Sequence, residues 1–180
     1  METKKYLDNY YQSYNEESRL LSRHGMVEYL TTMRYIEKYL KPGMRIIEIG
    51  TGTGRYSHAL AQKGYQVDAV ELVEHNIEIF RQHTLPGESV TITQGNATDL
   101  SAFADATYNI TLLLGPMYHL FTREEQQRAL SEAIRVTADG GVIFAAYCMG
   151  DIAILSYGFV RGHIHELIEK CMLDTKTFQT

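Results

Sequence analysis

The densest run of chemically suggestive residues is Glu48-Ile49-Gly50-Thr51-Gly52-Thr53-Gly54-Arg55. Glycines at alternate positions let a chain turn sharply and let a ligand lie against its backbone. A dinucleotide-binding loop needs Gly-x-Gly-x-x-Gly, and counted from Gly50 its last glycine would fall on Arg55. That argues against a nicotinamide oxidoreductase. The loop is instead Gly-x-Gly-x-Gly with an acid two residues ahead of it. Its plain alternative is a tight strand-to-helix turn with no ligand. Further along stand Glu71, 19 positions after Gly52, then Gln94-Gly95-Asn96-Ala97-Thr98-Asp99, then Leu114-Gly115-Pro116-Met117-Tyr118-His119-Leu120. Taken alone, Glu71 reads as a surface acid capping the next helix, and Asp99 as a cap for the turn that follows it. His119 could take up a proton near neutral pH.

Together these segments resemble the class I S-adenosylmethionine-dependent methyltransferases. Gly-Pro-x-Tyr-His-Leu at Gly115 to Leu120 is similar to a bacterial subgroup of them. The resemblance spans residues 10 to 175 and implies a doubly wound, Rossmann-like α/β fold with S-adenosylmethionine as cofactor and S-adenosylhomocysteine as product. It places Gly50, Thr51, Gly52, Gly54, Arg55 and Tyr56 around the cofactor. Glu48 and nearby carbonyls would hold the cationic methionine end. Glu71 would accept hydrogen bonds from both ribose hydroxyls, and Leu72 with Val73 would pack on the adenine. Asn96 stands where the family often has an acid, and its amide oxygen can still accept from the adenine amine. Ala97 would offer its N–H to the ring. Leu114 and Gly115 would face the reacting methyl group, with Tyr118 and His119 as candidate catalytic residues. His119 is either a base or a structural histidine over the cofactor. Asn109 stands where the family often has Asp, at a position distant from the chemistry. No metal is expected.

The elements that must position these residues can be read from periodicity. Apolar residues at helical spacing mark Val27 to Leu40, stopped by Lys41-Pro42-Gly43. Strands are predicted at Arg45–Ile49, Gln66–Glu71, Val90–Gln94, Tyr108–Leu114 and Val142–Tyr147. Helices are predicted at Tyr56–Lys63, Glu74–His83 and Arg123–Val136, with a helical turn near Leu100 to Phe103 and a turn at Asp139-Gly140-Gly141. Strands alternating with helices imply a parallel sheet covered on both faces, with ligands at the C-terminal ends of its strands.

Composition sets the outer limits. The chain has 180 residues, 44% of them hydrophobic, enough for one domain with a core. Its net charge of −5 disfavours binding to a phosphate backbone. There is no signal-peptide core and no apolar run near the ~20 residues of a membrane span. Cys148 and Cys171 are too few and too far apart for a zinc site or a disulfide framework. The expectation is a reduced, cytoplasmic methyltransferase acting on a small molecule, or else a module that holds S-adenosylmethionine or S-adenosylhomocysteine without turnover. Tyr10, Tyr11, Tyr14, Arg19 and His24 could form a lid over the methionine part of the cofactor or simply pack as an N-terminal arm (residues 1–24). His163 and His165 form a lone His-x-His. The usual fold adds two strands after the fifth, but residues 151–180 read as helical. The expectation is therefore a single domain, 1–180, truncated at its C-terminus. Its open sheet edge would need a cover, such as a second copy of the chain.

Overall fold

The computed structural model describes residues 22–147, 152, 154–174 and 176. The proposed lid residues Tyr10, Tyr11, Tyr14 and Arg19, the His24 side chain, and Cys148 lie outside that set. The chain forms two compact units, Met1–Ala146 and Tyr147–Thr180.

The first unit is a five-stranded sheet, every pairing parallel, with strand order β3-β2-β1-β4-β5. The strands are β1 Arg45–Ile49, β2 Gln66–Glu71, β3 Val90–Gln94, β4 Tyr108–Leu113 and β5 Thr137–Ala145. The helices are α1 Arg23–Glu37, α2 Arg55–Gln62, α3 Glu74–His83 and α4 Arg123–Val136. The strand order reverses between β1 and β4, so the C-terminal ends of those two strands form the crevice where such sheets take ligands. This is the doubly wound arrangement expected from the alternation.

Side-chain parity along β1 assigns each residue to a face. Ile47 and Ile49 join a core with Val70, Leu100, Leu113, Ala129, Ala133 and Val136. Ile46 joins the opposite core, with Met33 and Ile36 of α1 and Tyr56 and Leu60 of α2. Glu48 shares the parity of Ile46, so its side chain faces the α1/α2 layer, not α4.

Two elements of this unit differ from their expected form. Helix α1 begins at Arg23, before Val27, because the Ser22 hydroxyl accepts from Gly25 N at 3.1 Å and caps it. Strand β5 begins at Thr137 directly after α4, whereas the sequence suggested a turn and then a strand from Val142. Thr137 pairs with Tyr108 and Val142 with Ile110, so the extra residues between them bulge, using Gly140 at φ 74°. Leu100 to Phe103 forms a turn closed by Phe103 N–H donating to Leu100 O at 2.8 Å.

Asn109 accepts from Arg45 N at 2.9 Å, tying the start of β1 to β4 at the end of the sheet away from the crevice. Nearby, Asp68 accepts from Tyr108 Oη (2.8 Å), Thr91 Oγ1 (2.6 Å) and Arg45 Nη2 (3.1 Å), linking β1, β2, β3 and β4.

The second unit contains a π-helix, Ile154–Val160, and helix α5, Ile164–Glu169. The helical reading of residues 151–180 is thus met by a π-helix and one short α-helix rather than by α-helix throughout. A Cβ on Gly158 would lie 3.2 Å from the Ile164 and Leu167 methyls, so the missing side chain lets the two helices close. Ile154, Leu167 and Leu173 form a small core. His163 is engaged, stacked on Tyr157 (4.4 Å, 11°) and 3.1 Å from Glu166. Among the described residues, no helix is long and apolar enough to cross a membrane.

Candidate cofactor site

The glycine loop has the conformation its composition demands. Gly50, Gly52 and Gly54 all have positive φ, at 71°, 58° and 90°, a region other residues enter at a cost. Two of them are also sterically required. A Cβ on Gly50 would lie 2.6 Å from Pro116 Cγ, and one on Gly54 would lie 2.3 Å from Phe80 Cδ2. Gly50 and Thr51 donate to Val70 O at 2.8 and 3.1 Å, pinning the loop to β2. Gly115 closes in from the other side, 3.1 Å from Gly50 O at the position of its would-be Cβ. The loop after β1 and the turn after β4 are therefore in contact. Sequence reading treated these as separate segments.

Glu71 ends β2 with its carboxylate turned back to the loop. Oε2 accepts from Gly52 N at 2.7 Å, while Oε1 accepts from Leu72 N at 3.0 Å and Val73 N at 2.9 Å. Asn76, which sequence reading missed, adds a side-chain hydrogen bond. Burial pushes the Glu71 carboxyl above its ordinary range, and these donors oppose the push.

Glu48 is 2% exposed. Thr51 Oγ1 donates to its Oε2 at 2.8 Å, and Ser57 Oγ donates to the same oxygen. The two hydroxyls lie 3.1 Å apart. Burial pushes the Glu48 carboxyl up to about 7, with the nearby Glu71 charge adding a smaller push in the same direction. Ser57 could have been found from the sequence: it lies in the first turn of the helix that follows the loop.

Arg55 opens α2 and lies against α1, its guanidinium 4.2 Å above the Tyr29 ring and Nη2 3.6 Å from Met26 Sδ. Its Nη1 is buried without a hydrogen-bond partner among the described residues. Tyr56 is buried in the α1/α2 core with its ring centroid 5.2 Å from that of Tyr29. Leu72 O accepts from Gln94 Nε2 at 3.1 Å, bracing the residues after β2 against β3. Asn96 Oδ1 accepts from Thr98 N at 3.0 Å, and an amide oxygen has a second lone pair free for a ligand donor. Ala97 is buried in the α4-side core, and Asp99 caps Ser101 N at 3.1 Å. Leu114 is partly buried, and Pro116–Tyr118 forms a single 3₁₀ turn before His119. Tyr118 is partly exposed, and burial pushes the His119 imidazole below its usual range.

These features suit a cofactor with a diol, an adenine and a positive charge. Glu71 is a carboxylate at the crevice, Asn96 an amide beyond β3, and Glu48 a buried acid beneath a loop whose added Cβ atoms would clash. Residues 46–141 match the model of a family described as a methyltransferase domain. The chain belongs to that family. S-adenosylmethionine is the cofactor such membership assigns, in agreement with the motif resemblance.

A ubiquinone biosynthesis O-methyltransferase of Methylocella silvestris is 33% identical over 128 residues, covering 71% of this chain and 48% of the relative. An S-adenosyl-L-methionine-dependent Diels-Alderase of Talaromyces variabilis is 29% identical, covering 57% of this chain and 35% of the relative. The chain thus spans about half or less of the length of these relatives. The crystal structure of the PH0226 protein of Pyrococcus horikoshii superposes with a TM-score of 0.65 at 25% identity, covering 75% of this chain and 63% of that one.

Proposed function

We propose that this domain binds S-adenosylmethionine across the β1/β4 crevice and serves methyl transfer to a small molecule bearing a hydroxyl group. The observation that carries this reading is the contact between Gly50 and Pro116. It sets the cofactor loop beside the turn bearing Tyr118 and His119. When bound, the cofactor supplies an activated methyl on a sulfonium. Glu71 takes the ribose hydroxyls, Leu72 and Asn96 take the adenine, and Glu48 with loop carbonyls faces the cationic end. The domain's task is then orientation of the acceptor.

A hydroxyl acceptor must lose a proton, and His119, kept neutral by burial, serves as the base. The ubiquinone relative, named as an O-methyltransferase, supports an oxygen acceptor. The test is transfer of labelled methyl to a panel of phenols and catechols. His119→Gln should lower turnover by roughly 10²–10⁴-fold. The rate in the native chain should rise with pH through a pKa lower than that of an exposed imidazole, because burial disfavours the charged ring and only the neutral imidazole accepts a proton. An unchanged pH profile in His119→Gln would remove this role.

A second reading is favoured by the Diels-Alderase relative, named for a different reaction. On that reading the domain holds the cofactor without spending it. Binding with no S-adenosylhomocysteine released across the panel would favour it. The outer edge of β5 has no strand partner among the described residues, and a second copy covers it in the proposed assembly. A monomer throughout a sedimentation concentration series would contradict that part.

A further inference from the structure

Glu48, Thr51 and Ser57 form a closed ring of three oxygens, each within hydrogen-bond reach of the other two. Three contacts need three protons. The two hydroxyls supply only two, and both are spent on Glu48 Oε2 when it is a carboxylate, leaving the Thr51–Ser57 contact without a proton. If Glu48 is protonated, it donates to one hydroxyl, that hydroxyl donates to the other, and the second donates back to Oε2. Every contact is then a hydrogen bond.

The surroundings favour the same state. Glu48 is buried, and among the described residues none forms an ion pair with it. The neighbours in register on β2 and β4 are Ala69 and Leu112. The loop contributes Thr51, and α2 contributes Ser57 through its hydroxyl and its backbone N–H; these neutral donors oppose the protonated state, but burial outweighs them. The titratable group that acts on Glu48 is Glu71 of β2, and it repels negative charge. An isolated carboxylate in such a place is costly, and it either stays protonated or acquires a cation.

We infer that Glu48 holds a proton in the ligand-free loop and releases it to solvent when a positively charged ligand enters. Glu48 thereby makes affinity depend on ligand charge. This rests on the cofactor reading above and adds a specificity role to it. The sulfonium cofactor carries one more positive charge than its thioether product, so deprotonation favours fresh cofactor over spent. A charge effect of this kind acts through low-dielectric surroundings and needs no direct contact. With the carboxyl at about 7, the deprotonated fraction rises about tenfold between pH 6 and pH 8, and cofactor affinity should rise with it.

The experiment is calorimetric titration of the full chain near pH 7 in two buffers of different ionisation enthalpy, which counts protons released. Three ligands are compared: S-adenosylmethionine, S-adenosylhomocysteine and the uncharged 5′-methylthioadenosine. Release should be about half a proton for the first, less for the second and none for the third. Glu48→Gln should abolish release. Equal release from all three ligands, zero release in the native chain, or undiminished release in Glu48→Gln would overturn the inference. The last result would assign the proton to Glu71. Binding without proton exchange would sink this inference alone, whereas no binding by any ligand would sink the cofactor reading with it.

Discussion

At the residue scale, two carboxylates on adjacent strands have different surroundings. Glu71 receives three backbone N–H groups, while Glu48 receives two hydroxyls and the backbone N–H of Ser57. A raised carboxyl pKa favours the folded state at low pH. Glu48 contributes stability that is complete below its unfolded value of 4.5 and is lost as pH rises through about 7. The melting temperature of the unliganded chain should therefore fall from pH 5 to pH 8, and Glu48→Gln should flatten that fall. An equally steep fall in the variant would show that other groups cause it. Gly54→Ala tests the loop itself. Its φ of 90° and the 2.3 Å approach to Phe80 should together cost roughly 2–4 kcal/mol in denaturant unfolding. A change under 1 kcal/mol would mean that the loop relaxes without cost. The glycines and Glu71 were legible because alternate glycines and an acid at a fixed distance leave a sequence signature. The Glu48–Thr51–Ser57 ring was not, because it depends on which face of β1 meets which turn of α2.

At the element scale, packing decides what periodicity leaves open. The strands β1, β2 and β3 and the helices α3 and α4 fall where the sequence put them, since β-branched runs and apolar spacing agree there with burial. Strand β5 does not, because its bulge absorbs Asp139-Gly140-Gly141, residues that locally favour a turn. The π-helix is likewise set by the fit of Gly158 against α5. Arg135, near the end of α4, donates to Leu100 O at 2.8 Å and Phe103 O at 2.9 Å and pairs with Glu132 at 2.8 Å. It thereby holds the turn after Asn96 and Ala97 onto α4. Arg135→Met should lower the unfolding free energy by roughly 1–3 kcal/mol, moving the midpoint down with the denaturant slope unchanged. Wild-type stability in this variant would show that the turn holds itself.

At the scale of the whole molecule, a five-stranded parallel unit and a smaller helical unit share one chain. The sheet, its strand reversal and the family were all legible, because several motifs occur in order at strand ends. The acceptor was not, because one scaffold supports many reactions and the acceptor pocket leaves no comparable pattern. The account as a whole rests on the crevice between β1 and β4 accepting S-adenosylmethionine, with Glu71 on the ribose. Calorimetric titration of the native chain and of Glu71→Ala, against S-adenosylmethionine and against NAD, tests this most directly. One cofactor should bind per chain, affinity should weaken roughly 10- to 100-fold in Glu71→Ala, and NAD should give no heat. No heat with S-adenosylmethionine, or equal affinity in Glu71→Ala, would contradict it.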